Sequence, residues 1–141
     1  VNDETAVASA CRVLIAEDDE ELRDSLVEVL ELRDYNVVVV GLGAAAEAAC
    51  RDQQFDIGIM DITLPDGSGL ERVPVIETLQ TDIEILIVTG NAETDLAKAV
   101  RPSTIGFLQK PVDMNQLLST ISAVAERREL ARKNREFELT W

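Results

Sequence analysis

The sequence predicts an α/β protein built on a doubly wound parallel sheet, and three observations carry that prediction. Short apolar runs alternate with amphipathic or Ala-rich stretches five times. The runs are nearly all apolar rather than alternating, as strands buried on both faces are. Each gives way to polar or turn-forming residues at its C-terminal side, so the order is strand, helix, strand throughout.

The first strand, β1, is expected over 12–16 (RVLIA), ending at the acidic run Glu17-Asp18-Asp19-Glu20. Leu22, Leu26, Val29 and Leu30 then recur at helical spacing, giving α1 to about residue 32. Strand β2 follows at 35–40 (YNVVVV), too rich in β-branched residues to favour helix. The small, Ala-rich stretch 41–50 suits a helix, α2, packed closely on a sheet. Strand β3 is placed at 55–60 (FDIGIM), with a turn at Leu64-Pro65-Asp66-Gly67. Helix α3 is expected over 70–80, with Pro74 requiring either a place in the first turns or a kink. Strand β4 (83–88, IEILIV), helix α4 (92–100) and strand β5 (105–109, IGFLQ) follow. Asp113 can cap a long last helix, α5, starting near Met114.

Right-handed crossovers restrict the topology, and the common solution for five such units is the strand order 2-1-3-4-5. Residues 1–10 read as a flexible leader, 11–127 as one domain, and 128–141 as a helical extension that could lead to a missing domain. In that extension Leu130, Asn134, Phe137 and Trp141 fall 4, 3 and 4 apart. The spacing is that of a short coiled-coil seam, and it fits either a dimerising or signal-transmitting helix or an ordinary long one. The first residue, Val1, suits a processed product or a piece of a larger protein.

Composition narrows the chemistry. The net charge of −14, from 27 acidic and 13 basic residues, disfavours nucleic-acid binding. The absence of histidine excludes Ser-His-Asp and Cys-His catalysis and His-ligated metals. Cys11 and Cys50 lack any metal-binding or disulfide spacing, so packing is their expected role. No membrane-spanning run or signal peptide is visible, and a cytoplasmic protein is expected.

Polar groups converge at the strand ends. Glu17 and Asp18 follow β1, Asp61 follows β3, Thr89-Gly90 follow β4 and Lys110-Pro111 follow β5. In open parallel sheets ligands bind beyond these ends at the topological switch point, here between β1 and β3. Carboxylates crowded there need compensation, and a hard divalent cation supplies it. A neutralised Asp61 could then attack phosphorus, with Lys110 offsetting charge on the transferring oxygens and Thr89 donating a hydrogen bond to one of them. Gly90 would leave room beside that group.

On the stretches RVLIAEDDEELRDSL, DIGIMDITLPDGSGLE, ILIVTG and GFLQKP, the chain resembles the response-regulator receiver family over about residues 11–127. The resemblance implies a flavodoxin-like (βα)5 fold with an extended C-terminal helix, and a phosphoacceptor at Asp61. It implies Mg²⁺ or Mn²⁺ held by Glu17, Asp18, Asp61 and the Thr63 backbone carbonyl. Thr89 would be the switch hydroxyl, Phe107 the rotating aromatic and Lys110 the phosphate-pairing lysine before a cis proline. The implied donor is a sensor histidine kinase or histidine phosphotransfer protein, and the signal passes to the α4–β5–α5 face. A homodimer through that face or through the C-terminal helix is a further expectation. Such a chain catalyses only its own phosphorylation and dephosphorylation and is not classed as an enzyme. Three departures stand out: Glu17 stands where the first acid is often Asp, Arg101-Pro102-Ser103-Thr104 replaces the usual Gly-Ala turn before β5, and Phe107 lacks a hydroxyl.

Two alternatives stay open at this point. One is a degenerate receiver that acts as a binding module without phosphorylation. The other is a small Rossmann-type dinucleotide-binding module, suggested by the strand and G-x-G-x-x-A of VVVVGLGAAA, with Asp61 about twenty residues on. The dinucleotide reading leaves Glu17, Asp18, Thr89 and Lys110 without roles; otherwise Gly41 and Gly43 form a tight turn and the alanines allow close helix packing.

Overall fold

The computed structural model describes residues 11–90 and 99–140. Five parallel strands, β1 (Arg12–Ala16), β2 (Asn36–Val40), β3 (Ile57–Asp61), β4 (Glu84–Thr89) and β5 (Thr104–Gln109), form one sheet. Their spatial order is β2-β1-β3-β4-β5, as expected, and every adjacent pair is parallel. The helices are α1 (Glu20–Glu31), α2 (Gly43–Asp52), α3 (Gly69–Leu79) and α5 (Met114–Thr140). The expected α4 falls almost wholly at 91–98, outside the described residues, as do the leader 1–10 and Trp141.

The alternation of side chains across each strand divides the core in two. Val13 and Ile15 of β1, Ile57 and Ile59 of β3, and Leu86 and Val88 of β4 pack under Leu26 and Leu30 of α1 and Leu117 and Ile121 of α5. Leu14, Met60, Ile85 and Ile87 face the other way, against Ala46 and Cys50 of α2 and Val73 and Ile76 of α3. Both faces are thus covered, which is why the strands read as continuous apolar runs. The two cysteines lie buried as packing groups, and burial pushes the Cys11 thiol up to about 12 and the Cys50 thiol up to about 11.

Element ends follow from capping chemistry. The Asp19 carboxylate accepts from the Glu21 and Leu22 amides, so α1 starts earlier than its apolar period suggests. It ends where Asp34 takes a left-handed φ of 66°, and the Asp34 and Tyr35 amides return to the Glu31 and Leu30 carbonyls. Ser68 caps α3 through the Leu70 amide. Pro74 lies inside α3, beyond its first turn. The Asp113 carboxylate caps α5 by accepting from Asn115 and Gln116, as its position predicts.

Two long-range polar ties complete the fold. Gln80, 2% exposed, accepts from the Phe55 amide and donates to the Cys50 and Gln53 carbonyls, joining the ends of α2 and α3 to the approach to β3. At the base of the sheet the Arg128 guanidinium meets Glu84 at 2.8 Å, Asp56 at 3.2 Å and the Asp82 carbonyl, while Arg127 also pairs with Glu84. The 128–141 stretch therefore continues α5 without a break through Thr140, and its first residue is tied to the bases of β3 and β4. Beyond that tie, Leu130 and Phe137 are each 62% exposed. Among the described residues no helix is long and apolar enough to cross a membrane.

Replacing Gln80 by Met keeps the shape but leaves a buried amide and two carbonyls without their partner. Urea unfolding should show a loss of roughly 3 kcal/mol, against less than about 0.5 kcal/mol for Leu32→Ala at an exposed position.

Candidate functional site

The C-terminal ends of β1 and β3 bring three carboxylates together. The Glu17 amide donates to the Val40 carbonyl at 3.0 Å, which carries the β1–β2 pairing one residue beyond the strand. The chain then turns into α1, and Glu17 and Asp18 are left at the switch point. Asp61 closes β3 from the adjacent position. Glu17, Asp18 and Asp61 each offer an oxygen within 4.8 Å of the others. Glu17 and Asp61 are each 2% exposed, whereas Asp18 faces solvent.

Lys110 supplies the opposing charge. Its Nζ lies 2.9 Å from Asp61 Oδ2 and 3.1 Å from Glu17 Oε1. Its amide donates to the Thr89 carbonyl at 2.8 Å, and the Lys110-Pro111 bond is cis, as the resemblance implied. Two more amides hold the acids in place: Thr63 donates to Asp61 Oδ1 at 3.0 Å, and Asp19 donates to Glu17 Oε2 at 3.1 Å. Thr89 ends β4, 4% exposed. Phe107 lies in β5 opposite Ile87, partly buried against the α2–α3 side of the core. The structure thus gathers Glu17, Asp18, Asp61 and Lys110, with Thr89 at the end of β4 and Thr63 two residues beyond the end of β3. Gly90 is not sterically required, since a Cβ there would meet only Lys110 Cδ at an ordinary 3.8 Å. Gly69 is required, because its Cβ would fall 2.0 Å from the Asp61 carbonyl oxygen.

One lysine does not balance three acids. Burial, and the hydrogen bond Glu17 shares with Asp61, push the Glu17 carboxyl up to about 7 against the pull of the Asp19 amide and Lys110. For Lys110 burial acts downward, but the hydrogen bonds to Asp61 and Glu17 win and hold it above the ordinary lysine value. A site that draws a proton onto a carboxylate near neutral pH favours added positive charge. Its all-oxygen donor set, with one ligand open to solvent, fits a hard divalent cation that keeps part of its water shell.

The dinucleotide alternative meets a direct obstacle. A pyrophosphate would need the free amides at the start of α2. There the Asp66 carboxylate already accepts from Gly43 at 2.8 Å and Ala44 at 2.9 Å, and these bonds hold its carboxyl below the usual range. Sequence reasoning placed Asp66 in a turn but missed its capping of α2, and it passed over Arg72 and Gln80. For Asp66 a signal existed: Leu42, which precedes α2, has no side-chain group able to cap it.

Residues 13–122 match the response regulator receiver domain. The swarming motility regulation protein RssB of Serratia marcescens is 34% identical over 116 residues, covering 82% of this chain and 53% of RssB. The chain therefore spans about half of that relative. A CheY-like receiver domain from Methanospirillum hungatei superposes with a TM-score of 0.80 at 26% identity, covering 86% of this chain and 98% of that one. A response regulator from Burkholderia pseudomallei, solved with a phosphorylated aspartic acid and a calcium ion, gives a TM-score of 0.73 at 25% identity, covering 86% and 72%. The chain belongs to the response regulator receiver domain family. It is a phosphoacceptor signalling domain of two-component systems with a flavodoxin-like fold.

The raised Glu17 value gives a signed pH dependence. Below its ordinary 4.5 the carboxyl is protonated folded or unfolded, and between 4.5 and about 7 only the folded chain keeps the proton. The stability contributed by that proton is complete below 4.5 and is lost as pH rises through about 7. In chelator, the advantage of Glu17→Gln over the parent in urea unfolding should therefore grow across this window and level off above it.

Proposed function

We propose that Asp61 is the phosphoacceptor, taking a phosphoryl group from a sensor histidine kinase or a histidine phosphotransfer protein. The observation that carries this reading is the pairing of Asp61 with Lys110 at 2.9 Å, within a cluster that already holds two further carboxylates. Glu17, Asp18, Asp61 and the Thr63 backbone carbonyl would hold Mg²⁺ or Mn²⁺. The bound cation would neutralise the acids and the phosphoryl oxygens. Asp61 attacks phosphorus through one carboxylate oxygen as the donor's P–N bond breaks, and the imidazole leaves with that electron pair. Lys110 follows the developing charge on the phosphoryl oxygens, and Thr89 donates its hydroxyl to one of them.

The switch follows from the same groups. Thr89 moves toward the phosphoryl group, Phe107 moves into the vacated space, and the α4–β5–α5 face changes. A kinase-supplied phosphoryl group places the domain in the cytoplasm, and its acidic balance turns it toward protein partners rather than nucleic acid. The domain promotes its own phosphorylation and dephosphorylation only. Residues 128–141 act as a helical link to a further domain or as a dimer contact.

Incubation with acetyl phosphate and Mg²⁺ should add one phosphoryl mass to the intact chain. Asp61→Asn or an excess of chelator should abolish the gain, and Lys110→Ala should reduce it at least tenfold. No gain in the parent would leave a receiver that works only as a binding module. For the dimer contact, light scattering of the phosphorylated chain should show a dimer that Leu130→Glu with Phe137→Glu dissociates. A monomer before and after phosphorylation rules that contact out.

A further inference from the structure

The segment after Asp61 is fastened at two ends. It forms a two-residue antiparallel ribbon, Thr63–Leu64 against Gly67–Ser68, turning at Pro65-Asp66 with Gly67 at φ 129°. At its base Thr63 donates to the Asp61 carboxylate, Ile62 donates to the Val88 carbonyl at 2.9 Å, and Gly69 donates to the Ile62 carbonyl at 2.6 Å. At its tip the Asp66 carboxylate crosses to α2 and takes the Gly43 and Ala44 amides.

Arg72 of α3 braces that crossing. Its Nη2 lies 3.1 Å from Asp66 Oδ2 and its Nη1 lies 3.1 Å from Glu47 Oε1 on α2. The arginine stem runs over Gly43, where a Cβ would fall 2.5 Å from Nε and 2.9 Å from Cγ. The second glycine of the Gly-x-Gly run thus makes room for this brace. Three elements meet at one carboxylate: the ribbon, the start of α2 and the side of α3.

Resting on the assignment of Asp61 as acceptor and of Thr63 as a metal-binding carbonyl, we propose that Asp66, braced by Arg72, is a positioning residue for metal-dependent phosphoryl transfer. It fixes the ribbon's tip three residues beyond Thr63, so the backbone that meets the cation is ordered before the cation arrives. A ribbon freed at its tip would spend only part of its time in the competent arrangement. Apparent affinity then falls by that fraction, while the rate with metal saturating stays nearly the same.

The test is the Mg²⁺ dependence of acetyl phosphate labelling, read by intact mass, with urea unfolding measured in parallel. Asp66→Ala should raise the half-saturating Mg²⁺ concentration roughly three- to tenfold, with the rate at saturation within about twofold of the parent. Asp66→Asn, which keeps an acceptor oxygen for the α2 amides, should recover most of the shift. Arg72→Met, which keeps the stem over Gly43 but removes the guanidinium, should shift it in the same direction as Asp66→Ala and by less. It carries the comparison if Asp66→Ala does not fold. A variant that loses stability while its half-saturating Mg²⁺ stays at the parent's value overturns the proposal, since Asp66 then only caps α2. A parent that gains no phosphoryl mass at any Mg²⁺ concentration overturns it together with the assignment of Asp61, and the two failures are told apart by the parent alone.

Discussion

The structure depends on an electrostatic imbalance built into the switch point of its sheet. Two buried carboxylates and one exposed one share a space that a single lysine partly neutralises. A site evolved for stability alone would have removed one of the acids or buried a second base beside them. Here the imbalance persists, held in place by the Thr63 and Asp19 amides, and it makes the site responsive to added positive charge. The fold supplies what that requires: strand ends rigid enough to keep like charges together. The two-sided core supplies the rigidity, since both faces of β1, β3 and β4 are packed.

The same sheet connects the site to places far from it. β3 carries Asp61 at one end, with Asp56 at its base, and β4 runs from Glu84 to Thr89. Arg128 holds Asp56 and Glu84 at the opposite ends of these strands from the acidic cluster. β3 and β4 therefore each end at the acidic, lysine-paired cluster or beside it, and each has a tie to α5 at its other end. On the α3 side, Glu77 holds Arg101 at 2.5 Å and Ser103 at 2.7 Å, so the unusual turn before β5 is also tied to a helix.

Much of this could be read from the sequence because it is local. The five strands announce themselves through β-branched runs, and the site acids and lysine follow the runs directly, so naming the strands also names Glu17, Asp18, Asp61 and Lys110. Asp113 as a cap and Leu64-Pro65-Asp66-Gly67 as a turn are equally local signals. What escaped is long-range and side-chain specific. Gln80 meets residues 25 to 30 positions away, and Arg128 meets Asp56 across 72 positions. No period marks such pairs. The start of α1 is hidden for a different reason: its first turn is acidic and capped by Asp19, so the apolar spacing begins after the helix does.

The tie at Arg128 has a mechanical meaning. Downstream of it α5 runs through Thr140, about 20 Å of helix at 1.5 Å per residue. With its root clamped to two strands, this arm has no hinge where it leaves the domain. A tilt of about 5° at the clamped root displaces the far end of the arm by nearly 2 Å, by the geometry of a rod of that length. A small adjustment of β3 or β4 carried by that clamp would thereby be magnified at a distance, as travel of a rigid pointer.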